Sequence, residues 1–213
     1  MLSKAQNTQL ITAITNSNTD VIDKLISSQK VDSATVLSEA IDAGNVDVVK
    51  YLIAKHNINV KDQHNTFLIR AATAGQEAVV AYLINDCGCD PNGNNFGYCP
   101  LSGAALGGQK EMFIKLHTIY GADKHLHEHN TLYNMADQNM LEMMKFLIED
   151  QGLDVHADEE IALRTASKGG HQEIVDYLIE KGGQSSLDCA GEICLSLASS
   201  NNHPDIAAMY VES

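Results

Sequence analysis

Two hundred and thirteen residues with 44% hydrophobic and 20% charged content match ordinary globular usage and exclude a disordered chain. Only 14 basic residues stand against 28 acidic ones, a formal net charge of −14, which removes most of the counterion-release term behind nucleic-acid binding and disfavours anionic membrane surfaces. Three Pro and 15 Gly exclude collagen-like and Pro-rich low complexity, and 5% aromatic residues without Trp argue against one large aromatic core. The stretch Met1-Leu2-Ser3-Lys4-Ala5-Gln6-Asn7-Thr8 leads no charged segment into an apolar run, so no secretory signal is read there. The apolar stretches are far shorter than the roughly 20 residues a membrane helix needs. Cys87, Cys89, Cys99, Cys189 and Cys194 are an odd count, read as reduced thiols in a cytoplasmic compartment.

One unit recurs from end to end. Taken in chain order, about residues 5–33 carry Leu10, Ala13, Val21 and Leu25, and 34–64 carry Leu37, Ala40, Val48 and Leu52. Residues 65–97 repeat the set as Leu68, Ala71, Val79 and Leu83, and 98–129 as Leu101, Ala104, Met112 and Leu116. Then come 130–160 with Leu132, Met135, Met143 and Leu147, and 161–191 with Leu163, Ala166, Ile174 and Leu178. The last segment, 192–213, has Leu195, Ala198, Ile206 and Tyr210. Each unit reads as two helices. The leucine and alanine give the first a narrow apolar stripe, alanine allowing close approach of a neighbouring helix. Gly44, Gly75, Gly108 and Gly170, with Asn139 and Asn202 at the same place, are residue types that tolerate a left-handed helix end. Neither helix can bury its stripe alone, so the expectation is one all-α domain over 1–213, a stack whose core runs through neighbouring units.

These segments resemble ankyrin repeats, whose usual pattern runs T-P-L-H-x-A-A-x-x-G-H-x-E-I-V-x-x-L-L-x-x-G-A-D. Lys168-Gly169-Gly170-His171-Gln172-Glu173-Ile174-Val175 with Leu178-Ile179 matches its second half, Tyr120-Gly121-Ala122-Asp123 its end, and Cys89-Asp90-Pro91-Asn92 its hairpin entry. The T-P-L-H start is nowhere intact, Cys99-Pro100-Leu101-Ser102 being nearest, which puts the inter-repeat bonds of that Thr and His in doubt. The resemblance implies an ankyrin-repeat solenoid with hairpin fingers, here mostly truncated. Only Ile84 to Cys99 keeps the usual 15-residue connection, and Ile26 to Thr35 keeps 9. Gln6, Asn7, Asn16 and Asn18 give the first segment a polar outer face, whereas Ala207 and Ala208 make the last one less polar than a capping helix should be.

Candidate chemistry is sparse. Cys87-Gly88-Cys89 with Cys99 is too tightly spaced for most zinc knuckles and is read as ordinary half-buried thiols, the metal cluster being the alternative. His117, in an otherwise Ile and Val column, is read as a satisfied core or rim residue, with a pH-sensitive packing point as alternative. In His125-Leu126-His127-Glu128-His129, extended backbone would put three imidazoles on one face and Glu128 on the other. That suits zinc in residue type, but ligands about 6–7 Å apart along a strand cannot converge without a bend, so a finger tip is the preferred reading. Asp158-Glu159-Glu160 and Glu149-Asp150 read as solvated loop charges. No nucleophile elbow, phosphate loop or H-E-x-x-H helix is present.

What the resemblance implies is therefore a non-catalytic protein–protein interaction module, monomeric, without cofactor or metal, binding a partner protein on its concave face. Matching positions put Glu39, Asp42, Arg70, Thr73, Gly103, Leu106, Asn134, Asp137, Thr165 and Lys168 on the exposed side of the first helices, and His64, Phe96, Tyr98, His127, His129 and Asp158 on finger tips. Aromatic and Arg residues dominate interface hot spots, which singles out Arg70, Phe96 and Tyr98 for partner binding, with His64, His127, His129, Asp137 and Asp158 around them. The net charge of −14 implies a basic partner surface. Asn- and Ile-rich, Pro-poor arrays resemble those of intracellular bacteria, protists and large viruses, which suggests a translocated effector acting in a host cytosol. A small metal- or thiol-dependent enzyme and a self-associating structural repeat are the alternatives.

Overall fold

The computed structural model describes residues 4–28, 31–61, 65–93 and 97–211, the side chains of 183 and 184 apart. Seven turns among these residues close with the same hydrogen bond, and it lands on one column of the sequence. A residue in the left-handed conformation (Ser17, Gly44, Gly75, Gly108, Asn139, Gly170 or Asn202) ends the first helix. The next N–H then donates to the carbonyl of Ala13, Ala40, Ala71, Ala104, Met135, Ala166 or Ala198, at 2.8–3.1 Å. This is the six-to-one bond of a helix C-terminus, and it satisfies a carbonyl that the helix leaves over. Small residues in that column thus serve twice, letting helices approach and turning the chain.

Among the described residues there is no β-strand; the helices stand directly on turns. The chain divides into two compact units, Met1–Ala122 and Asp123–Ser213. In the first, α1 (Lys4–Thr15) pairs with α2 (Thr19–Ser27), α3 (Ser33–Asp42) with α4 (Val46–His56), α5 (Thr66–Thr73) with α6 (Glu77–Asn85), and α7 (Pro100–Leu106) with α8 (Lys110–Thr118). Side-chain caps start several of them: Asn18 accepts from Val21 N, Asp32 from Thr35 N and Asn45 from Val48 N. Cys99 and Ser102 exchange bonds in a capping box before Pro100 opens α7. Leu10, Leu37, Leu68 and Leu101 are all buried, as are Leu25, Leu52, Leu83 and Leu116 one layer across. Each such burial is worth on the order of 2 kcal/mol. α5 and α7 come closest. Gly103, expected on an exposed face, is buried there instead, because any Cβ would stand 2.9 Å from the Ile69 carbonyl oxygen.

The second unit follows the pattern through α9 (Glu128–Asp137) and α10 (Leu141–Lys145), which runs on as a π-helical turn over Phe146–Asp150, then α11 (Ala157–Gly169). It then departs from it. α12 (Gln172–Ser200) is one 29-residue helix, so the finger expected between Ile179 and Ile193 does not form, and α13 (Pro204–Met209) closes the chain. The reason is a second periodicity. Ile174, Leu178, Gly182, Ser186, Ala190, Cys194 and Ala198 recur every four residues through the supposed finger, and no proline interrupts them. All but Gly182 of these are buried. The stripe also shifts the last leucine column by one residue, with Cys194 fully buried and Leu195 only half-buried. Among the described residues no helix is long and apolar enough to cross a membrane.

Candidate functional site

The expected partner-binding residues fall in different settings. His64 and Phe96 lie outside the described residues. Tyr98 is 43% exposed, immediately before the Cys99 cap. Arg70 is already engaged: its Nε donates to Asp42 Oδ1 at 2.7 Å and its Nη2 to Asp42 Oδ2, a bidentate pair joining α5 to α3. The Asp42 hydrogen bonds push the guanidinium pKa upward, against a smaller opposing effect of burial.

In the second unit the His125–His129 run is not extended. Residues 124–127 form turns, Glu128 opens α9, and His125 Nδ1 lies 2.8 Å from Glu128 Oε2. The three imidazoles therefore share no strand face. An acidic residue ahead of an apolar stripe favours a helix start over an exposed tip. His127 occupies the N-cap position and His129 the first turn, both half-buried. Among the described residues no three His, Cys, Asp or Glu side chains are placed to hold a metal ion. His117 is a satisfied rim residue, its Nδ1 lying 2.9 Å from the Ala122 carbonyl oxygen.

The acidic run 158–160 is only partly solvated. Asp158 and Glu159 are exposed, but Glu160 is 2% exposed and bonded to His156 Nδ1. All three have positive φ, 49°, 53° and 62°, which a non-glycine backbone adopts only at a cost of about 1 kcal/mol or more per residue. Ser186 Oγ approaches His156 Nδ1 at 3.5 Å, the same nitrogen that Glu160 engages. One imidazole nitrogen cannot take a serine proton and hold an orienting carboxylate at once, so this Ser–His–Glu contact is not a relay. Buried thiols are no better placed. Desolvation pushes Cys89 up to about 11, and Cys194 also upward, which keeps both as unreactive thiols near neutral pH.

What the second unit does offer is an open groove of about 430 Å³ between α9, α11 and α12. Tyr133, Ile161, Ile193 and Leu197 give it an apolar lining, and Arg164 and Lys168 a cationic side. Tyr133 is 41% and Ile193 47% exposed, and the two stand together with Ile161 and Leu197 rather than singly. Asp137 also lines the groove, and Asp158 is tied to it through its carbonyl, which accepts from Arg164 Nη2 at 2.9 Å. Asn134, expected on this face, is buried, and Tyr133 takes the exposed place. Lys168 is among the positions expected to be exposed; Arg164 is not, although Ile161, Arg164 and Lys168 stand at i, i+3 and i+7, which is one helix face.

A family model described as "Ankyrin repeats (3 copies)" matches residues 2–63 and 132–212. The chain is 37% identical over 91 residues to "26S proteasome non-ATPase regulatory subunit 10" of Dictyostelium discoideum, covering 41% of this chain and 39% of that protein. It is 30% identical over 174 residues to "Ankyrin repeat and KH domain-containing protein mask-1" of Caenorhabditis elegans, covering 78% of this chain and 6% of that one. Thus it spans well under half the length of either curated relative. The crystal structure of the human ASB11 ankyrin repeat domain superposes with a TM-score of 0.61 at 23% identity, over 83% of this chain and 82% of that one, a likeness of fold.

Proposed function

The chain belongs to the ankyrin-repeat family, and from that premise we propose that it binds a partner protein through the exposed side of its first helices, without catalysing a reaction. The observation that supports this most directly is the groove of the second unit, where Tyr133 and Ile193 stay exposed over an apolar floor instead of packing inward. Contiguous apolar surface rimmed by charge is costly to leave in water unless something covers it. In the first unit the exposed Tyr98 and the half-exposed Arg70 are offered for the same part, with His64 and Phe96 nearby in sequence. His127, His129, Asp137 and Asp158 supply polar contacts around them. The field of a −14 protein draws in a partner with a basic face and makes association salt-sensitive. On this reading the chain works as a monomer in the cytoplasm, or in a host cytosol as a translocated effector.

The test is affinity capture from a eukaryotic lysate, followed by titration of each identified protein, purified, into the full chain by calorimetry. Saturable one-to-one binding that weakens about tenfold or more in a Tyr98→Ala or an Ile193→Ser variant, each shown folded by circular dichroism, supports the reading. Captured proteins that fail to bind once purified, or that bind both variants as well as the parent, overturn it.

A further inference from the structure

The groove of the second unit is cationic in a strongly acidic protein. Arg164 and Lys168 stand one turn apart on α11 and line it beside Ile161, Ile193 and Tyr133. Lys168 is exposed and forms no ion pair among the described residues. Arg164 donates from Nη2 to the Asp158 carbonyl, while its Nε is buried without an acceptor. A guanidinium N–H removed from water and left unpaired is a standing cost that an arriving acceptor removes. The neighbouring carboxylates do not supply one. Asp137 takes a hydrogen bond from Gln138 at 2.8 Å, and the buried Glu160 bonds His156 through Oε1 while its Oε2, like Arg164 Nε, has no partner.

We propose that this groove binds a linear segment of a partner protein in which an Asp or Glu side chain stands beside a large apolar one. The carboxylate meets Arg164 and Lys168, and the apolar side chain lies against Ile161, Ile193 and Tyr133. This rests on the protein-binding reading and refines it. The net charge of −14 acts over about a Debye length, roughly 10 Å, and orients a basic partner face during approach, whereas the groove selects chemistry at contact. The two demands fall on different parts of one partner.

The probe is a phage-displayed library of random dodecapeptides selected on the full chain, with the selected peptides titrated by fluorescence anisotropy. The expected result is enrichment of Asp or Glu next to Leu, Ile or Phe, and binding about tenfold weaker to Lys168→Glu. Selection repeated on Lys168→Glu shifts toward peptides with Lys or Arg in the place of the acid, which loss of fold cannot produce. Ile193→Ser weakens both peptide sets. Basic or purely apolar peptides selected by the parent chain overturn the inference, as do acidic peptides indifferent to Lys168→Glu. No selectable peptide at all overturns it too, and the calorimetric test with purified partners then decides separately whether the protein-binding reading survives.

Discussion

The amide of Gln76 lies across Gly44: its Nε2 donates to the Asp42 carbonyl at 2.7 Å, and a methyl group added at Gly44 would overlap its Oε1. The same reach recurs one repeat back, where Asn45 Nδ2 donates to the Ile14 carbonyl at 2.7 Å and the Ser17 hydroxyl at 2.9 Å. It recurs one repeat on, where Gln109 covers Gly75, and in the second unit, where His203 covers Gly170. In these four repeats the residue at the N-cap of the second helix thus reaches the preceding turn. Asn45 and Gln76 give the first unit repeat-to-repeat hydrogen bonds although the T-P-L-H start is missing.

Gly44 and Gly108 separate the two burdens of that position. Both have φ of +69°, but a Cβ on Gly108 meets nothing within 4 Å. Gly108→Ala should therefore cost only the left-handed backbone, about 1–2 kcal/mol. Gly44→Ala adds displacement of Gln76 and loss of its bond, roughly 1 kcal/mol more. Urea unfolding followed by circular dichroism measures both, and equal midpoints would remove the bridge from the argument.

Asp32 makes stability in the first unit depend on acid. Its Oδ2 accepts from the Thr35 hydroxyl at 2.7 Å and its Oδ1 from the Thr35 N–H at 2.8 Å, and these bonds hold its pKa below the ordinary carboxylate value. A depressed folded pKa means a contribution fully present above the unfolded value, about 3.9, and lost as pH falls through the folded one. Asp32→Ala should cost about 1 kcal/mol at pH 7, and progressively less as the pH is taken below 4. Asp32→Asn keeps an accepting cap but no titrating charge, so its stability relative to the parent should improve over the same acid range. Thermal melts across that range decide it; a penalty for Asp32→Ala that does not shrink in acid would exclude the ionised cap.

The Arg70–Asp42 pair is half-exposed on both sides, 41% and 40%, so its bidentate geometry is discounted by solvent. A double-mutant cycle with Arg70→Ala and Asp42→Ala should give a coupling of about 0.5–1 kcal/mol in low salt, largely gone at high ionic strength. Arg70 that couples to Asp42 and also weakens partner binding when replaced serves both stability and recognition. Zero coupling in low salt would leave it free for a partner alone.

The core was readable because burial selects on apolarity alone: the leucine column from Leu10 to Leu163 and the small column from Ala13 to Ala198 are buried throughout. The turns were readable because few residues besides Gly and Asn enter the left-handed region cheaply; Ser17 escaped because serine carries no such mark. The histidine run misled because alternation assumes an extended chain, while Glu128 and the stripe after it form a helix. On the groove face, exposure is expected two and five residues beyond each leucine: Asp137 and Lys168, at the fifth place, are exposed and line the groove, whereas Asn134, at the second, is buried and the neighbouring Tyr133 and Arg164 line the groove instead. Glu160 could not be anticipated at all, since what buries it is His156 and a backbone conformation no residue type announces.

α12 offers the sharpest conflict between repeat pattern and structure, and Gly191 tests it. An ankyrin-like finger would place this glycine in a connection, where its freedom is useful and substitution gains nothing. The continuous helix places it inside a regular turn with nothing within 4 Å of a Cβ, between the buried residues Ala190 and Cys194. Glycine costs a helix interior roughly 0.5–1 kcal/mol relative to alanine, through backbone entropy retained in the unfolded chain. Gly191→Ala should therefore stabilise the protein by about that amount, with a matching gain in helical ellipticity. A neutral or destabilising result would mean that the chain breaks at this point in solution, and that the seventh repeat starts from a connection as its sequence columns alone suggest.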